Sequence, residues 1–336
     1  MPKKSSHSFW AKLLIGIAIS SALIYFAAKD VSLDNVMIAL RNTDCFYVAC
    51  SLAAMFMMQV LRSVRWGLLL RPLIKLDQLT LFSVTSVGFL AIISLPMRLG
   101  ELVKPYIMAK RTGMSVTSAI SSVIAERIFD ALAVFLFIAL VPLLLPTVPD
   151  WLFEYTAVFF VFVASLAALM IFVVCKQELS VAIVEKLLNK RGTLAARAKE
   201  LLIGFIAGLE FAKNWRLTLL VFVLSIAIWL TEVVIIYYML LAFGIVLPLA
   251  AYFLITAVLL VAIAIPAAPG FIGSWHYACV LGLSFFGVAA DLGFAFGALY
   301  HFGTIVLLGM LGLLFLPGNY SAIKEVVSAT QAKESN

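Results

Sequence analysis

The chain has 336 residues, of which 64% are hydrophobic and 12% are charged, and its net charge is +7. Soluble domains carry about 25% charged residues, so most of the surface of this protein must face something other than water. The composition excludes an ordinary cytosolic enzyme, a disordered chain and a disulfide-rich secreted scaffold. In a membrane protein, an excess of Lys and Arg over Asp and Glu indicates how the chain is oriented in the membrane and where it contacts anionic headgroups. We therefore expect an anionic lipid as partner and no nucleic acid.

Nine apolar segments are candidates for helices that enter the membrane, because a spanning helix needs about 20 mostly apolar residues. In chain order they are residues 9–28, 45–61, 79–97, 128–147, 151–175, 216–243, 249–266, 275–290 and 292–316. We predict a cytoplasmic loop with an amphipathic helix at 176–214 and a cytoplasmic tail at 317–336.

The four cysteines show no metal-binding spacing and lie in or beside apolar runs. They are Cys45, Cys50, Cys175 and Cys279. We predict that they are free, buried packing residues, and we expect neither a metal nor another cofactor.

Positive charge predicts the direction of the segments. Of the 24 Lys and Arg residues, 22 fall in the N-terminal stretch, in 62–75, in 98–127, in 176–216 and in the tail. Cytoplasmic loops carry an excess of Lys and Arg, so we place these regions and both termini on the cytoplasmic side. The prediction is a multi-pass protein of the cell inner (plasma) membrane, with Arg62 and Arg65 in the loop after the second helix.

Two segments must enter the membrane and return to the side from which they came, namely 79–125 and 249–290. Each carries a P-x-x-x-G breaker at its apex, and the two breakers are 170 residues apart. The apex residues are Pro96 and Gly100 in the first, and Pro266, Pro269, Gly270 and Gly273 in the second.

These patterns predict an all-α polytopic membrane protein, with one membrane domain over residues 1–336. It contains two inverted repeats, 9–147 and 151–316. Each repeat has three crossing helices plus one re-entrant helical hairpin, or a pair of short helices. Broken helices at matching positions of inverted repeats indicate a transporter-type site near the midplane, although Pro and Gly are also common in membrane helices generally.

Charged residues cluster after the first apex, where a returning half-helix begins. Amide groups at such a helix start suit a phosphate when an Arg lies nearby. We predict a lipid-headgroup site of Arg98, Glu101, Lys104 and Arg127, with Lys110, Arg111, Glu126 and Asp130 as a supporting ion network. The alternative is an ion network that only pins the hairpin, and the two roles are compatible.

The second apex is followed by His276, and His301 lies in the last span, so the two form a possible polar pair; a core histidine with satisfied hydrogen bonds is the alternative. The sequence contains no G-x-S-x-G, Walker A, H-E-x-x-H or GxGxxG motif. We therefore predict no catalytic residue and favour a transporter over an enzyme.

Four motifs resemble the lysylphosphatidylglycerol synthase transmembrane region family of flippase-like membrane proteins. They are Pro96–Lys104 (P-x-R-x-G-E-x-x-K), Lys110–Gly113, Ala125–Asp130 and Ile265–Gly273, and the last is followed by Leu283–Val288 and a final span. The resemblance implies an inner-membrane protein that handles lipids, some members translocating them or cooperating with glycolipid synthesis. In the aminoacyl-lipid synthases a soluble transferase domain follows this region. Here the chain ends at residue 336, so we expect the lipid-moving part without lysine transfer.

The chain departs from the family pattern at His276, where Glu is usual, at His301, where Arg is common, and at Phe271, which replaces a Gly. Because His titrates near neutrality, the site is expected to suit another lipid or to respond to pH. The leading expectation is a flippase-like transporter that binds the phosphate headgroup of a phospholipid or polyprenyl-phosphate-type lipid. The alternatives are a membrane glycosyltransferase and a subunit that presents lipid to a separate lipid-modifying enzyme.

Overall fold

The regular structure consists of helices, in the order that hydropathy predicts. The computed structural model describes residues 4–95, 100–144, 150–187, 193–264 and 268–320, and no strand occurs in these ranges. The α-helices are α1 Lys4–Ala28, α2 Leu33–Arg41, α3 Cys45–Leu70, α4 Gln78–Ser94, α5 Val103–Thr112, α6 Val116–Leu144, α7 Asp150–Cys175, α8 Gln177–Leu187, α9 Thr193–Gly208, α10 Trp215–Ala242, α11 Leu249–Ala264, α12 Ser274–Ser284 and α13 Ala290–Phe315. Short 3-10 turns lie at 100–102, Glu210–Lys213, Pro269–Phe271 and Pro317–Asn319.

Three helices of the described chain, α3, α10 and α13, are long and apolar enough to cross a membrane. The number rises to five if each of two bent pairs is one span: α1 with α2, bent by 80°, and α7 with α8, bent by 101°. The all-helical membrane architecture is therefore confirmed. The inverted-repeat arrangement and the domain boundaries stay predictions.

Two helices are longer than hydropathy predicts. α3 continues to Leu70 rather than ending at residue 61, and α6 begins at Val116 rather than at 128. Both extensions carry charged residues, which a hydropathy profile reads as loop. In the folded chain Arg65 of the α3 extension pairs with Glu126 of the α6 extension inside the protein, so both helices continue through charged residues.

Polar caps mark where several helices begin. The Asp44 carboxylate accepts a hydrogen bond from the Phe46 amide, and the Asp77 carboxylate accepts one from the Thr80 amide, both at 2.8 Å. Such caps satisfy amides that have no partner within the helix. The hydrogen bonds from Thr80 hold the pKa of Asp77 below its usual value, so this carboxylate stays charged at the positive end of α4.

Both predicted hairpins are broken helix pairs. α4 packs against α5 in the first, and α11 packs against α12 in the second. The second break also packs on the first pair, because the 3-10 turn at Pro269–Phe271 contacts α4. The second break therefore lies beside the last turn of α4. Pro96 and Pro266 lie outside the described residues.

Each apex brings a glycine against another backbone. A Cβ on Gly100 would overlap the backbone of Ala91 and Ile92 in α4. A Cβ on Gly273 would overlap the backbone of Ser20 in α1, and this glycine has a φ of +95°, which residues with side chains rarely adopt. The glycines of the two motifs thus allow the close approach of the hairpins to their neighbours.

The segment 176–214, where one amphipathic helix was predicted, contains α8, α9 and the 3-10 turn at Glu210–Lys213. α9 packs along the first half of α6, where the Ser118 hydroxyl donates to the Gly204 carbonyl at 2.8 Å. Ile206 of α9 and Leu209, which directly follows the helix, are buried, whereas Leu201 and Ile203 of α9 are exposed. One face of α9 is therefore a protein contact that its amphipathic pattern does not identify.

The cysteines are free, but two of them are not buried. Cys279 is buried and Cys50 is partly buried, whereas Cys45 and Cys175 are exposed. The prediction of buried packing residues is therefore wrong for Cys45, in the first turn of α3, and for Cys175, at the end of α7. An exposed apolar residue at a helix end is compatible with a lipid surrounding, so hydropathy does not imply contact with protein.

Candidate functional site

A buried network of ion pairs joins α3, α5 and α6 beside the first hairpin. Arg65 of α3 donates to the Asp130 carboxylate at 2.5 Å and to the Ser225 hydroxyl at 2.8 Å. Lys104 of α5 lies 2.7 Å from the Glu126 carboxylate, and Arg65 lies 3.6 Å from the same carboxylate. The side chains of Arg65 and Glu126 are each 2% exposed. Every buried charge of this network thus has an opposite charge beside it.

Two tryptophans enclose the network. The Trp229 indole donates to Asp130 at 3.1 Å. The Lys104 ammonium lies 4.1 Å from the centre of the Trp66 ring, and the Trp66 indole donates to the Ser122 hydroxyl at 3.1 Å. Cation–π contact and hydrogen bonds replace much of the water that these charges lose on burial.

Helical periodicity explains why two of the acidic residues of the network lie side by side on α6. Glu126 and Asp130 are four residues apart on α6 and share a face, as the spacing predicts. That face points at Arg65, which was expected in a cytoplasmic loop. This expectation was wrong, because Arg65 is 1% exposed and lies within α3. The signal that could have identified it is the continuation of helical spacing through Met58, Arg62 and Arg65.

The predicted headgroup residues occupy different surroundings. Lys104 is paired with Glu126 inside the network, whereas Arg127 is 46% exposed and lies 3.3 Å from Asp130. Glu101 is partly buried in the turn before α5. Arg98 lies outside the described residues. The structure thus brings Lys104 and Arg127 to one network, and the assignment of all four to a headgroup stays a prediction.

The other two members of the predicted supporting set lie further along α5 than Lys104. Lys110 and Arg111 are exposed near the end of α5. Arg111 donates to the Asn319 side chain at 3.1 Å, and Asn319 donates to the Ser83 hydroxyl at 2.9 Å. Arg111 therefore ties the first hairpin to the segment after α13 and does not contact the buried network.

A cavity of about 120 Å³ lies between the two broken helix pairs. Residues of α3, α4, α10, α11, α12, α13 and the turn at Pro269–Phe271 form its walls, which are mostly apolar. The polar side chains that line it are those of Arg62, Glu232, Thr256, Tyr300, His301 and Thr304. An apolar cavity with a few polar groups is the usual form of a small-molecule site.

Arg62 and Glu232 are the two charged residues of this cavity, and neither was predicted to be a site residue. The Arg62 guanidinium lies 4.7 Å from the centre of the Phe89 ring, and within the described ranges it makes no hydrogen bond or ion pair. Glu232 accepts a hydrogen bond from the Tyr300 hydroxyl. Its second oxygen accepts none from the described part of the chain. The signal for Glu232 was available, since it is the only charged residue in the predicted span 216–243 after Arg216.

The two histidines meet at the second apex. Their rings lie 5.2 Å apart, edge to face, and the His301 ring stacks on Trp275 at the same distance. His301 Nε2 lies 2.6 Å from the Gly270 carbonyl. Because a carbonyl only accepts, Nε2 carries the proton in this contact. His301 thus links α13 to the second break.

Among the residues that the structure describes, no group of three His, Cys, Asp or Glu side chains is placed to hold a metal ion.

Comparison with known proteins places this architecture in a family. Residues 13–312 match the model of the family described as "Lysylphosphatidylglycerol synthase TM region". The chain is 27% identical over 180 residues to "UPF0104 membrane protein MJ1595" of Methanocaldococcus jannaschii, and the alignment covers 52% of this chain and 53% of that protein. The match thus spans about half the length of this relative. Since the family model extends from α1 to α13, the chain belongs to the lysylphosphatidylglycerol synthase TM region family.

Proposed function

We propose that this protein binds the phosphate headgroup of a membrane lipid between its two broken helix pairs and carries it across the bilayer as a flippase-like transporter. The observation that supports this proposal best is Arg62, a guanidinium that lines an apolar cavity without a hydrogen-bond acceptor among the described residues. Arg remains charged in proteins, and a charge in apolar surroundings is costly unless it is paired. Phosphate oxygens match the guanidinium fork, so a lipid phosphate is a suitable partner.

The neighbouring network gives Arg62 a defined position. Arg65 follows it by three residues on α3 and is held by Asp130, Glu126 and Ser225. Because Arg65 is already paired, binding a phosphate there would require breaking a buried ion pair. The proposal therefore assigns positioning to Arg65 and phosphate binding to Arg62.

The first hairpin supplies the surface contact in this proposal. Arg127 is half exposed at the edge of the network, and we retain Arg98, Glu101 and Lys104 with it as the residues that a headgroup meets first. Movement of the two helix pairs relative to each other would then pass the headgroup to the cavity, as broken helices do in other transporters.

The test is translocation in liposomes that contain the purified chain. Fluorescent phospholipid and polyprenyl-phosphate analogues are added, and the fraction protected from a membrane-impermeant quencher is followed over time. We expect Arg62→Gln to slow translocation by about 10- to 100-fold, since a charge-assisted hydrogen bond contributes about 1.5–3 kcal/mol. Arg98→Glu should also abolish headgroup capture, whereas Arg216→Gln, a change at an exposed arginine at the start of α10, should match the wild type.

Three results would count against the proposal. Wild-type liposomes that translocate no faster than protein-free liposomes contradict transport. Lipid binding without translocation favours a subunit that presents lipid to an enzyme. Product formed from an activated sugar donor favours a membrane glycosyltransferase.

A further inference from the structure

The two charges of the cavity are held on different walls. Arg62 is placed against Phe89 on the side of α3 and α4. Glu232 is held by the Tyr300 hydroxyl on the side of α10 and α13. The Tyr300 ring also packs edge to face against Trp275, with the ring centres 4.9 Å apart, so Glu232 and Tyr300 belong to the same wall of the cavity. Arg62 and Glu232 attract each other electrostatically across the cavity, but they make no direct ion-pair contact.

These charges sum to zero, and this restricts what the cavity can hold. A headgroup that is only anionic would neutralise Arg62 but would place a second negative charge near Glu232. In apolar surroundings such like-charge repulsion is weakly screened. The titratable side chains that act on Glu232 are Tyr300, Cys279 and Arg62, and Arg62 is the positively charged one among them. A phosphate on Arg62 would therefore weaken the attraction that Glu232 receives from it. A headgroup with both a negative and a positive group leaves no buried charge unpaired.

Aromatic rings surround the negative wall. Trp229 lies on α10 one turn before Glu232, and Trp275, Tyr300 and Phe271 line the same cavity. Aromatic faces attract ammonium groups, and they do so more strongly where water is excluded. The wall that carries the carboxylate is thus also suited to a cation, whereas Arg62 on the other wall is suited to a phosphate.

We infer that the cavity selects a zwitterionic headgroup, in which a phosphate on Arg62 and an amine on Glu232 belong to the same ligand, as in phosphatidylethanolamine. The inference rests on the proposed function and narrows its substrate class. The cavity volume of about 120 Å³ lies below the range of about 300–1,000 Å³ of most small-molecule sites. This size favours a small headgroup over a glycan.

The test compares lipids that share a phosphate and differ in the amine. Liposomes with the purified chain receive phosphatidylethanolamine, phosphatidylglycerol or phosphatidic acid, each labelled on an acyl chain. We expect translocation of phosphatidylethanolamine to exceed that of the two anionic lipids by about tenfold or more. Glu232→Gln, which keeps an acceptor for Tyr300, should remove this preference, and Arg62→Gln should slow all three lipids. Glu210→Gln is the control, because Glu210 is exposed and pairs only with Lys213 within the described part of the chain.

Wild-type protein that moves phosphatidylglycerol as fast as phosphatidylethanolamine overturns the inference and leaves the proposed function intact. An unchanged preference in a well-folded Glu232→Gln variant also overturns it. If this variant does not fold, the wild-type preference alone decides. If no lipid is moved or bound, the proposed function fails and the inference fails with it.

A second experiment tests whether a soluble molecule that carries the same phosphate and amine groups competes with the lipid. Soluble phosphoethanolamine is added as a competitor, with inorganic phosphate and ethanolamine as separate controls. Competition by phosphoethanolamine alone supports recognition of both charges in one soluble group. Competition by phosphate to the same extent as by phosphoethanolamine contradicts a role for the amine.

Discussion

Several charged side chains of this protein are buried, and the sequence predicted the positions of only some of them. Arg65, Lys104, Glu126 and Asp130 are nearly inaccessible, and each has a partner of opposite charge. The sequence predicted Glu126 and Asp130 on one helical face, because a spacing of four is a local property. It placed Arg65 in a loop, because the partner that stabilises Arg65 lies 65 residues away on α6.

Because Lys104 and Glu126 form a buried ion pair, we expect a single substitution at Lys104 to lower the stability of the protein strongly. Lys104→Met keeps the length of the side chain but leaves Glu126 with a longer, weaker contact to Arg65. Removing one partner of a buried pair costs about 3–5 kcal/mol, so thermal unfolding in detergent should shift to a clearly lower temperature. The double variant Lys104→Met with Glu126→Gln should recover part of the loss.

Lys213→Met is the matched control for this substitution. Lys213 pairs with Glu210 at 3.0 Å, but its side chain is 49% exposed. Exposed pairs contribute about 0.2–1 kcal/mol. Equal shifts for Lys104→Met and Lys213→Met would contradict a structural role for the buried network.

At the scale of helices, the two breaks were predicted well because Pro and Gly interrupt helices through their own backbone chemistry. The lengths of α3 and α6 were not predicted, since hydropathy ends a helix where charges begin. Short α2 was also missed. It is joined to the start of α13 by Asp291, which accepts from the Ser32 amide and from Asn35, both at 2.7 Å. These contacts link positions far apart in sequence, so no local pattern indicates them.

The first break predicts that Gly100 tolerates no side chain. Gly100→Ala would push the turn before α5 away from the backbone of α4. Because backbone cannot yield as a flexible side chain does, we expect destabilisation of about 1–3 kcal/mol, measured by thermal unfolding of the purified protein. Gly309→Ala in α13 is the control, since the nearest atom to its new Cβ is the Ile93 Cδ1 at 4.0 Å. A Gly100→Ala variant as stable as Gly309→Ala would contradict this packing.

At the scale of the whole molecule, the bilayer changes how apolar residues are interpreted. Phe302 and Leu314 of α13 are 65% and 71% exposed, whereas Phe296 of the same helix is fully buried. Lipid and protein interior are both apolar, so hydropathy alone does not distinguish these faces. This is why the helices were predicted and their packing was not.

The charge distribution predicts the orientation of the whole chain, and two exposed cysteines allow a test. Cys45 begins α3 on the predicted outer side, and Cys175 ends α7 on the predicted cytoplasmic side. In single-cysteine variants within intact cells, a membrane-impermeant maleimide should label Cys45, and it should label Cys175 only after permeabilisation. Cys279, which is buried, should react only after denaturation. Labelling of Cys175 but not Cys45 in intact cells would reverse the predicted orientation.

Local sequence patterns were enough to predict the membrane class, the order of the apolar helices, the two breaks and the shared face of Glu126 and Asp130. Each of these follows from hydropathy, backbone chemistry or helical period, which act over a few neighbouring residues. The family resemblance, which rests on motifs of the same kind, was confirmed over residues 13–312.

The packing of the helices in three dimensions, in contrast, selects which charged side chains meet and which remain apart. Arg65 pairs with Asp130, His301 contacts the Gly270 carbonyl, and Glu232 is bound by Tyr300, which lies 68 residues further along the chain. Arg62, on the same helix as Arg65, instead faces the cavity. The physical reason is that helix packing selects partners across long stretches of chain, and the apolar residues that drive it are the same on the lipid side and on the protein side.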